Sequence, residues 1–488
     1  MTLAGLSNTT LAQVSAQTAK PRYDRSQAGI GILHFGPGAF HRAHQAVFVD
    51  DVLPQGGDWA ISGVSLRNPD VRDALVPQDG LYTLAQLDEE IGYRIIGSIR
   101  EVLCAKDEQA AVFARLANPA TRIVSSTVTE KGYCLAGDDL DFKHADIIRD
   151  LGNPRDPVSV VGYIVEGFRL RRAAKLKPYT VVSCDNLVDN GHKLGRAVVQ
   201  YAEALGDKDL ARWIEAEAAF PSTMIDSITP ATDDALRARA ADAIGLRDTW
   251  PIQREAFTQW VIEDKFCNGR PDFASVGVQL TDDVGAFDRA KLRLLNGPHS
   301  TLAYLGSLLG LVTVNDAMRE PALAAFLERL VTKSILPTVV PPKGFDLAAY
   351  SQAILKRFRN PAIRHLLAQI AWDGSQKLPF RLLGTVSDAL LNGTPLDDLA
   401  LPLAAWFHFL RGKARTGDKL TDPLADRLLA VAGAATGDAT ADVERFLALD
   451  NVFPPELAGE PAFRKALISA YAKLGDGSRE AVLSALSR

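Results

Sequence analysis

The segment Ala28-Gly-Ile-Gly-Ile-Leu-His-Phe35 runs directly into Gly36-Pro-Gly38-Ala-Phe-His41-Arg-Ala-His44. Its first half is a short apolar run bounded by glycine, which predicts a central β-strand. Its second half predicts a tight turn into a helix, where glycines allow a dinucleotide pyrophosphate to approach the backbone. Two of the three glycines of that fingerprint are present, and His41 stands where the third would be. A glycine-proline-glycine turn that binds nothing is the alternative.

The pattern around this segment predicts the fold class. Further apolar runs at 59–66, 122–129 and 179–184 alternate with helix-like stretches at 107–117 and 158–174. Strands that alternate with helices predict a parallel, doubly wound sheet. After about Asp288, amphipathic helices are predicted at 321–336, 347–359, 361–371, 399–410 and 460–474. We therefore predict an α/β chain with a Rossmann-type dinucleotide-binding domain at 1–285, including a lead-in at 1–27, and a mostly α-helical substrate and catalytic domain at 286–488.

Composition narrows the function classes. The 488 residues are 47% hydrophobic and 23% charged, with a net charge of -5 and no basic stripe, so we expect no nucleic-acid partner. The four cysteines are scattered, without zinc-ligand or disulfide spacing, which favours a reducing cytoplasm. The first twenty residues lack signal-peptide features. The apolar run 399–412 is too short to span a bilayer, so it predicts a buried helix and no membrane partner.

The end of the second predicted strand bears on the choice of cofactor. An acidic residue usually holds the adenosine ribose at this position. Here the sequence reads Leu66-Arg67-Asn68-Pro69-Asp70. Arg67 is suited to a 2′-phosphate, so NADP stays open beside NAD. Alternatively, Arg67 lies only at the edge of the pocket, and Asp70 lies one turn away.

A dehydrogenase needs a base for the alcohol proton and donors for the developing oxyanion. Zinc-ligand spacings and a Tyr-x-x-x-Lys pair are both missing, which leaves Lys291-Leu-Arg-Leu-Leu-Asn296-Gly-Pro-His299-Ser. Asn296 is predicted to cap a new helix after a break, with Lys291 before the bend and His299 after it. Desolvation would let Lys291 act as a base, while Asn296 and His299 donate hydrogen bonds. By spacing alone, an ordinary capped helix with a solvated lysine is the favoured alternative.

Three other polar clusters are candidates for a site. The segment Ser183-Cys-Asp-Asn186 follows a predicted strand at the end where α/β sheets bind ligands, although such a pair is often only a turn. Asp226 lies among apolar residues, which indicates a pocket or a structural hydrogen bond. Lys377 is predicted in a loop, where a lysine is usually solvated.

Seven segments, taken together, resemble one known family. They are GPGAFHRAHQA, TVTEKGYC, SCDN, FPSTMIDSITP, WVIEDKF, KLRLLNGPHS and DGSQKLP. In this order they resemble the polyol-specific long-chain dehydrogenases, the mannitol dehydrogenase family, over the chain from about residue 22 to near its end. The resemblance implies a Rossmann-type N-terminal domain, a largely helical C-terminal domain and a catalytic site without a metal.

The resemblance also implies roles for single residues. Lys291 is the expected general base, Asn296 and Asn186 stabilise the oxyanion, and His299 positions substrate. Asp226 and Lys377 match substrate-pocket positions, and Asp288 stands where the family carries a glutamate assigned to proton relay. The expected cofactor-binding residues are Gly36, Gly38, Phe40, His41, Arg67, Glu130 and Lys131.

Departures from the mannitol enzymes bear on the substrate. Gln369 replaces an arginine of the mannitol enzymes, and Lys131 stands where they tend to have glycine, whereas the stretches Arg364-His365 and 369–379 resemble the fructuronate reductases of the family. Arg364 with Lys377 would supply cations for a carboxylate, unless Arg364 is a surface residue. We predict reversible reduction of D-fructuronate to D-mannonate with NAD, with NADP as the alternative cofactor, by a monomer or weak homo-oligomer. The alternatives are a D-mannitol 2-dehydrogenase and a dinucleotide-binding sensor without catalysis.

Overall fold

The strands lie before Ala286 in this computed structural model, which describes residues 3–487 and divides after Gly285 into two compact units. The strands are β1 Ile30–Phe35, β2 Ala60–Ser65, β3 Tyr82–Leu87, β4 Gly92–Ile96, β5 Ile99–Cys104, β6 Ile123–Ser126, β7 Leu135–Ala136, β8 Asp139–Leu140, β9 Thr180–Ser183, β10 Thr223–Asp226, β11 Ile252–Glu255, β12 Gln259–Glu263 and β13 Gln279–Thr281.

Helices accompany the strands in the first unit and make up the second. Those of the first unit are α1 Ala39–Ala43, α2 Gln45–Val52, α3 Asp70–Leu75, α4 Ala105–Leu116, α5 Ala145–Gly152, α6 Val160–Ala173, α7 Asn190–Ala204, α8 Lys208–Glu217 and α9 Asp234–Ile244. Those that follow are α10 Val284–Lys291, α11 Gly297–Leu308, α12 Val314–Arg319, α13 Pro321–Arg329, α14 Leu347–Phe358, α15 Leu367–Ile370, α16 Gly374–Leu378, α17 Gly384–Asn392, α18 Asp397–Thr416, α19 Ala425–Gly433, α20 Ala439–Leu447, α21 Pro455–Ala458, α22 Pro461–Lys473 and α23 Arg479–Leu486. Wider π-helical segments occupy Leu292–Asn296, Leu330–Ile335 and Pro379–Leu383, and short 3-10 turns occupy Leu11–Gln13, Leu53–Gln55, Val76–Gln78, Glu130–Tyr133, Phe273–Val276 and Leu336–Thr338.

Five strands form one parallel sheet in the order β5-β2-β1-β6-β9. The predicted doubly wound sheet is confirmed, and each predicted strand is one to three residues shorter at its ends. The strand order reverses between β1 and β6, so the crossovers leave on opposite sides there. Open α/β sheets bind ligands at this point, outside the carboxyl ends of the strands. The three smaller sheets, β10-β12-β13, β11-β3-β4 and β7-β8, were not predicted from the sequence.

Burial on both faces of the parallel sheet explains why its strands read as continuous apolar runs. In β1, Leu33 and Phe35 pack into the core beneath α6 and α7, whereas Ile32 packs into the core beneath α2. Because successive side chains of β1 point to opposite faces of the sheet, its apolar residues are divided between two cores. The lead-in contributes a third, smaller core through Leu6 and Val14.

The helical unit is organised around α18, which packs against α11, α19 and α22. Its buried side chains include Trp406, Phe407 and His408, as expected for the apolar run at 399–412. Within the described residues, the helices lack the combination of length and apolar character that crossing a membrane requires.

One predicted helix of this unit, at 361–371, is wrong over most of its length. Only Leu367–Ile370 is helical. Leu366 pairs with Thr313 as an antiparallel bridge, and the His365 carbonyl accepts a hydrogen bond from the Val314 amide. These bonds to a distant loop keep 363–366 out of a helix, and 361–362 form a turn. The helix predicted at 321–336 ends as an α-helix at Arg329 and continues with π-helical geometry.

A buried histidine connects the first strand to its neighbour. The His34 ring places Nδ1 2.8 Å from the Ser125 hydroxyl and Nε2 2.9 Å from the Thr127 hydroxyl. The ring also stacks on His41, with 3.4 Å between the centroids. Burial lowers the pKa of His34 to about 3, so the ring is neutral in the folded protein.

Stability should therefore depend on pH through His34. Between its folded pKa of about 3 and its ordinary value of 6.5, the unfolded chain binds a proton that the folded chain excludes. This contribution is complete above about pH 6.5 and is lost as the pH falls toward 3, at up to about 1.4 kcal/mol per pH unit. His34→Asn should lower the thermal midpoint at neutral pH and flatten its fall with acidification. An unchanged pH slope in thermal denaturation would contradict the assignment.

Candidate active site

A cavity of about 620 Å³ opens at the carboxyl ends of β1, β2 and β6, at the reversal of strand order. Its lining residues are Gly36, Pro37, Gly38, Ser65, Leu66, Arg67, Asn68, Asp70, Val71, Thr127, Val128, Thr129, Lys131, Gly132, His144, Asp146, Val158, Ser159, Val160 and Trp250. The size, the position and the glycine turn fit a dinucleotide.

The two glycines of the turn have different requirements. Gly36 has φ +84°, and a Cβ atom on it would lie 2.2 Å from the Thr127 carbonyl oxygen. Only glycine fits there, because both the backbone conformation and the contact exclude a side chain. A Cβ on Gly38 would meet nothing nearer than 3.9 Å. The space beside Gly38 is therefore left for a ligand.

The loop after β6 is held in a strained conformation beside the cavity. Thr129 has φ +66°, which a β-branched residue rarely adopts. Asp185 accepts hydrogen bonds from the Val128 and Thr129 amides, at 3.0 and 2.9 Å, and from the Tyr133 hydroxyl at 2.6 Å. Burial raises the pKa of Asp185 despite these donors, which favour its charged form. The acidic residue of Ser183–Asn186 thus fixes the loop.

The same hydrogen-bond network extends to the segments that carry the predicted residues Asn186, after β9, and Asp226, in β10. The Asn190 side chain donates to the Asp185 carbonyl and to Thr223, at the start of β10. Asn186 is exposed directly after this junction, and Asp226 is buried as the last residue of β10. Both lie at or just after the carboxyl end of a strand.

The rim nearest β2 carries mixed charges. Arg67 forms an ion pair with Asp146 of α5, and both line the cavity together with Asp70. Lys131 also lines it. The other predicted cofactor residues do not: Phe40 stacks on His44, His41 lies buried beneath β1, and Glu130 is exposed.

Three side chains near this rim have metal-ligand chemistry. Ligand atoms of Cys134, His144 and Asp146 lie within 4.8 Å of one another. Burial raises the pKa of Cys134 to about 11, and Asp146 is engaged by Arg67. A protonated thiol and an occupied carboxylate fit a metal poorly.

In the second unit, Lys291, Asn296 and His299 lie along one continuous helical path. Lys291 is the last residue of α10 and only 8% exposed, Asn296 ends the π-helical segment, and His299 lies in the first turn of α11. Asn296 has right-handed helical angles and makes no side-chain capping bond, so the predicted break and cap are wrong. The wider π turn accommodates Pro298, which has no N–H to donate, without ending the helix.

His299 is neutral because of its surroundings. Burial lowers its pKa well below the ordinary value, and the nearby His365, Arg357 and Arg381 lower it further. The ring packs against Phe358 at 4.5 Å and against His365 at 5.0 Å between centroids. A neutral imidazole offers one donor and one acceptor to a substrate.

The remaining predicted residues are distributed as follows. Lys377 lies in α16 and not in the predicted loop; its Nζ donates to the Trp372 carbonyl at 2.6 Å. Burial lowers the pKa of Lys377, and Arg381 lowers it further. Asp288 is half-buried on α10, three residues before Lys291, and Arg364 is exposed outside any helix.

Comparison with known families covers both units. The mannitol dehydrogenase Rossmann domain matches residues 30–275, and the mannitol dehydrogenase C-terminal domain matches residues 283–475. The chain belongs to the mannitol dehydrogenase family. The predicted family is thus confirmed. The protein is an oxidoreductase, and its Rossmann-type unit takes a nicotinamide cofactor.

Several relatives cover almost the whole of this mannitol dehydrogenase family member. The D-mannonate oxidoreductase of Escherichia coli (strain K12) is 42% identical, covering 97% of this chain and 99% of its own. The mannitol 2-dehydrogenase of Neosartorya fischeri is 37% identical, covering 96% and 95%. The solved structure of Pseudomonas fluorescens mannitol 2-dehydrogenase, in ternary complex with NAD and D-mannitol, is 37% identical, covers 98% of each chain and has a TM-score of 0.79.

Several residues of the cavity and of the surroundings of His299 were not predicted from the sequence. Asp146, His144 and Trp250 line the cavity from segments far from the glycine turn, and Arg381 reaches His299 from another helix. For these residues, the sequence carries no local signal. The role of Asp185 was open to prediction, because it belongs to a recognised segment at a strand end.

The two glycines of this mannitol dehydrogenase turn should respond differently to alanine. Gly36→Ala should destabilise the N-terminal unit by about 2 kcal/mol or more, because of the left-handed φ and the Thr127 clash. Gly38→Ala should keep the wild-type thermal midpoint but raise the Kd for NADH about tenfold, because the methyl group fills the ligand's space. Calorimetry and NADH fluorescence titration measure the two effects.

Gly92→Ala is the control, since a Cβ there meets nothing within 4 Å. It should leave both the midpoint and the Kd unchanged. Wild-type NADH affinity in Gly38→Ala would remove the turn from the cofactor site.

Proposed function

We propose that this family member is a fructuronate reductase, which interconverts D-fructuronate and D-mannonate. The observation that carries the proposal is the charge around His299. Arg357, Arg381 and His365 act electrostatically on it, and Arg381 acts in turn on Lys377. A neutral polyol has no use for the positive charges of Arg357 and Arg381, whereas a hexonate carboxylate is stabilised by them. The 42% identity to a D-mannonate oxidoreductase supports the same substrate class.

The proposed chemistry assigns the proton to Lys291. In the direction of oxidation, Lys291 Nζ accepts the proton of the C2 hydroxyl, numbered as in fructuronate; in reduction it returns that proton. When bound, the nicotinamide accepts or supplies the hydride at this carbon. Its burial keeps Lys291 away from competing water. Asp288, three residues earlier on α10, relays the proton toward solvent.

Amide and imidazole groups complete the proposed site. The side-chain N–H groups of Asn296 and Asn186 donate to the oxygen as negative charge develops on it, which stabilises the transition state. Neutral His299 orients a substrate hydroxyl, and Asp226 and Lys377 bind further hydroxyls. Each of these proposed roles uses only the hydrogen-bonding groups of the side chain and requires no metal.

For the cofactor we propose NAD in preference to NADP. Arg67, the cation suited to a 2′-phosphate, is engaged by Asp146, and Asp70 adds a second carboxylate to the same rim. Two carboxylates repel a phosphate and suit a free ribose hydroxyl.

A second candidate is D-mannitol 2-dehydrogenase. It is favoured by the 37% identity to mannitol 2-dehydrogenases from a fungus and a bacterium. Initial rates in the absorbance band of reduced nicotinamide separate the candidates when fructuronate and fructose are each tested with NADH and NADPH. Fructuronate with NADH should give the highest kcat/KM, by at least about tenfold. A preference for fructose would overturn the proposal in favour of mannitol.

Lys291→Ala should separate chemistry from binding. Loss of the base should lower kcat by on the order of 10²- to 10⁴-fold. The Kd for NADH, from fluorescence titration, should stay within about twofold, because the cofactor cavity belongs to the other unit. Lys356→Ala, which removes an exposed lysine of α14, is the control and should have wild-type kinetics. Undiminished turnover in Lys291→Ala would eliminate the lysine-base mechanism.

A further inference from the structure

Arg381, in the π-helical segment Pro379–Leu383, is a half-buried cation without an ionic partner among the described residues. The side chain donates one hydrogen bond, from Nη1 to the Ser300 hydroxyl at 3.1 Å. Burial lowers the pKa of its guanidinium, which means that the charge is partly removed from water. Of the five N–H donors of this guanidinium, one is hydrogen-bonded to another described residue.

Two other half-buried arginines of the same unit have ionic partners. Arg293 pairs with Asp388 at 2.5 Å, and Arg329 pairs with Asp398 at 3.0 Å. A partly buried charge without a partner destabilises a fold, so proteins generally supply a counter-charge. Arg381 departs from this pattern, and the departure indicates that a ligand supplies the missing anion.

The charge of Arg381 acts on several groups around it. It lowers the pKa values of His299, His365 and Lys377. Two carboxylates are also near, but each already has a partner. Asp373 pairs with Lys377 at 3.9 Å, and Asp422 accepts hydrogen bonds from the Ser375 amide and hydroxyl, at 2.9 and 2.5 Å.

We propose that Arg381 binds the terminal carboxylate of the hexonate substrate, and that Ser300 orients its guanidinium for this contact. The inference rests on the proposed function, because only an acid substrate brings the anion. The planar fork of an arginine matches the two oxygens of a carboxylate, which gives orientation as well as affinity. Arg381 is then the residue that distinguishes the sugar acid from the neutral ketose.

The two cations predicted from sequence are less suited to this task. Arg364 is exposed and lies outside any helix. Lys377 already donates to the Trp372 carbonyl and pairs with Asp373, and it is a point charge without the bidentate geometry. Arg381 combines partial burial, an electrostatic effect on His299 and a single side-chain hydrogen bond to another described residue.

Arg381→Gln tests the inference by comparing two substrates. For fructuronate, KM should rise and kcat/KM should fall about 10- to 100-fold, because the charge-assisted hydrogen bonds are lost. For fructose, which has no carboxylate, kcat/KM should change by less than about threefold. Arg381→Lys should recover part of the loss, since it restores the charge but not the fork. Arg415→Gln, at an exposed arginine of α18, is the matched control and should leave the kinetics with both substrates unchanged.

The outcomes distinguish this inference from the proposed function. A wild-type protein that prefers fructose overturns the proposed function and the inference with it. A wild-type preference for fructuronate that Arg381→Gln retains, with unchanged KM, overturns the inference alone. If Arg381→Gln does not fold, as judged by its thermal midpoint, Arg381→Lys decides: a raised KM for fructuronate only supports the inference, and a wild-type KM overturns it.

Discussion

The carbonyl oxygen of Thr127 approaches Gly36 so closely that a Cβ atom at this position would lie 2.2 Å from it. The cofactor cavity of the first unit depends on this close approach. The turn after β1 and the loop after β6 meet there backbone to backbone. His34 holds the two strands in this relation through Ser125 and Thr127, and the Thr127 hydroxyl donates to the Gly36 carbonyl at 2.7 Å. Because neighbouring crossovers diverge at this place, the contact leaves a cavity and not a packed core.

Both units place site residues on backbone that departs from regular geometry. Thr129 keeps its unfavourable φ because Asp185 binds its amide, so the strain is balanced by a buried hydrogen-bond network. In the second unit, the π-helical segments that carry Asn296 and Arg381 pack together closely: a Cβ on Gly297 would lie 2.9 Å from the Arg381 carbonyl oxygen. π-Helical turns recur at functional sites because the extra residue redirects side chains that an α-helix would turn elsewhere.

Electrostatics differ between the two clusters. At the cofactor cavity, the Arg67 guanidinium is balanced by Asp146, which leaves a rim of mixed charge. Around His299, Arg357 and Arg381 act as cations, and the imidazole stays neutral because burial and these cations both oppose its protonation. A site of this kind holds an anion while it keeps a hydrogen-bonding group uncharged. It is the basis on which we propose an acidic substrate.

The sequence by itself determined the parallel sheet, the glycine turn, the helical second half and the family, because these depend on apolar periodicity and on motifs within a few residues. It did not determine the path of 361–366, which is decided by a bridge to Thr313, or the helical continuity through Asn296. Nor did it indicate that His41 is buried or that Arg381 has no ionic partner among residues 3–487. Burial, hydrogen-bond partners and ionic partners come from residues distant along the chain, and only the tertiary structure brings them together.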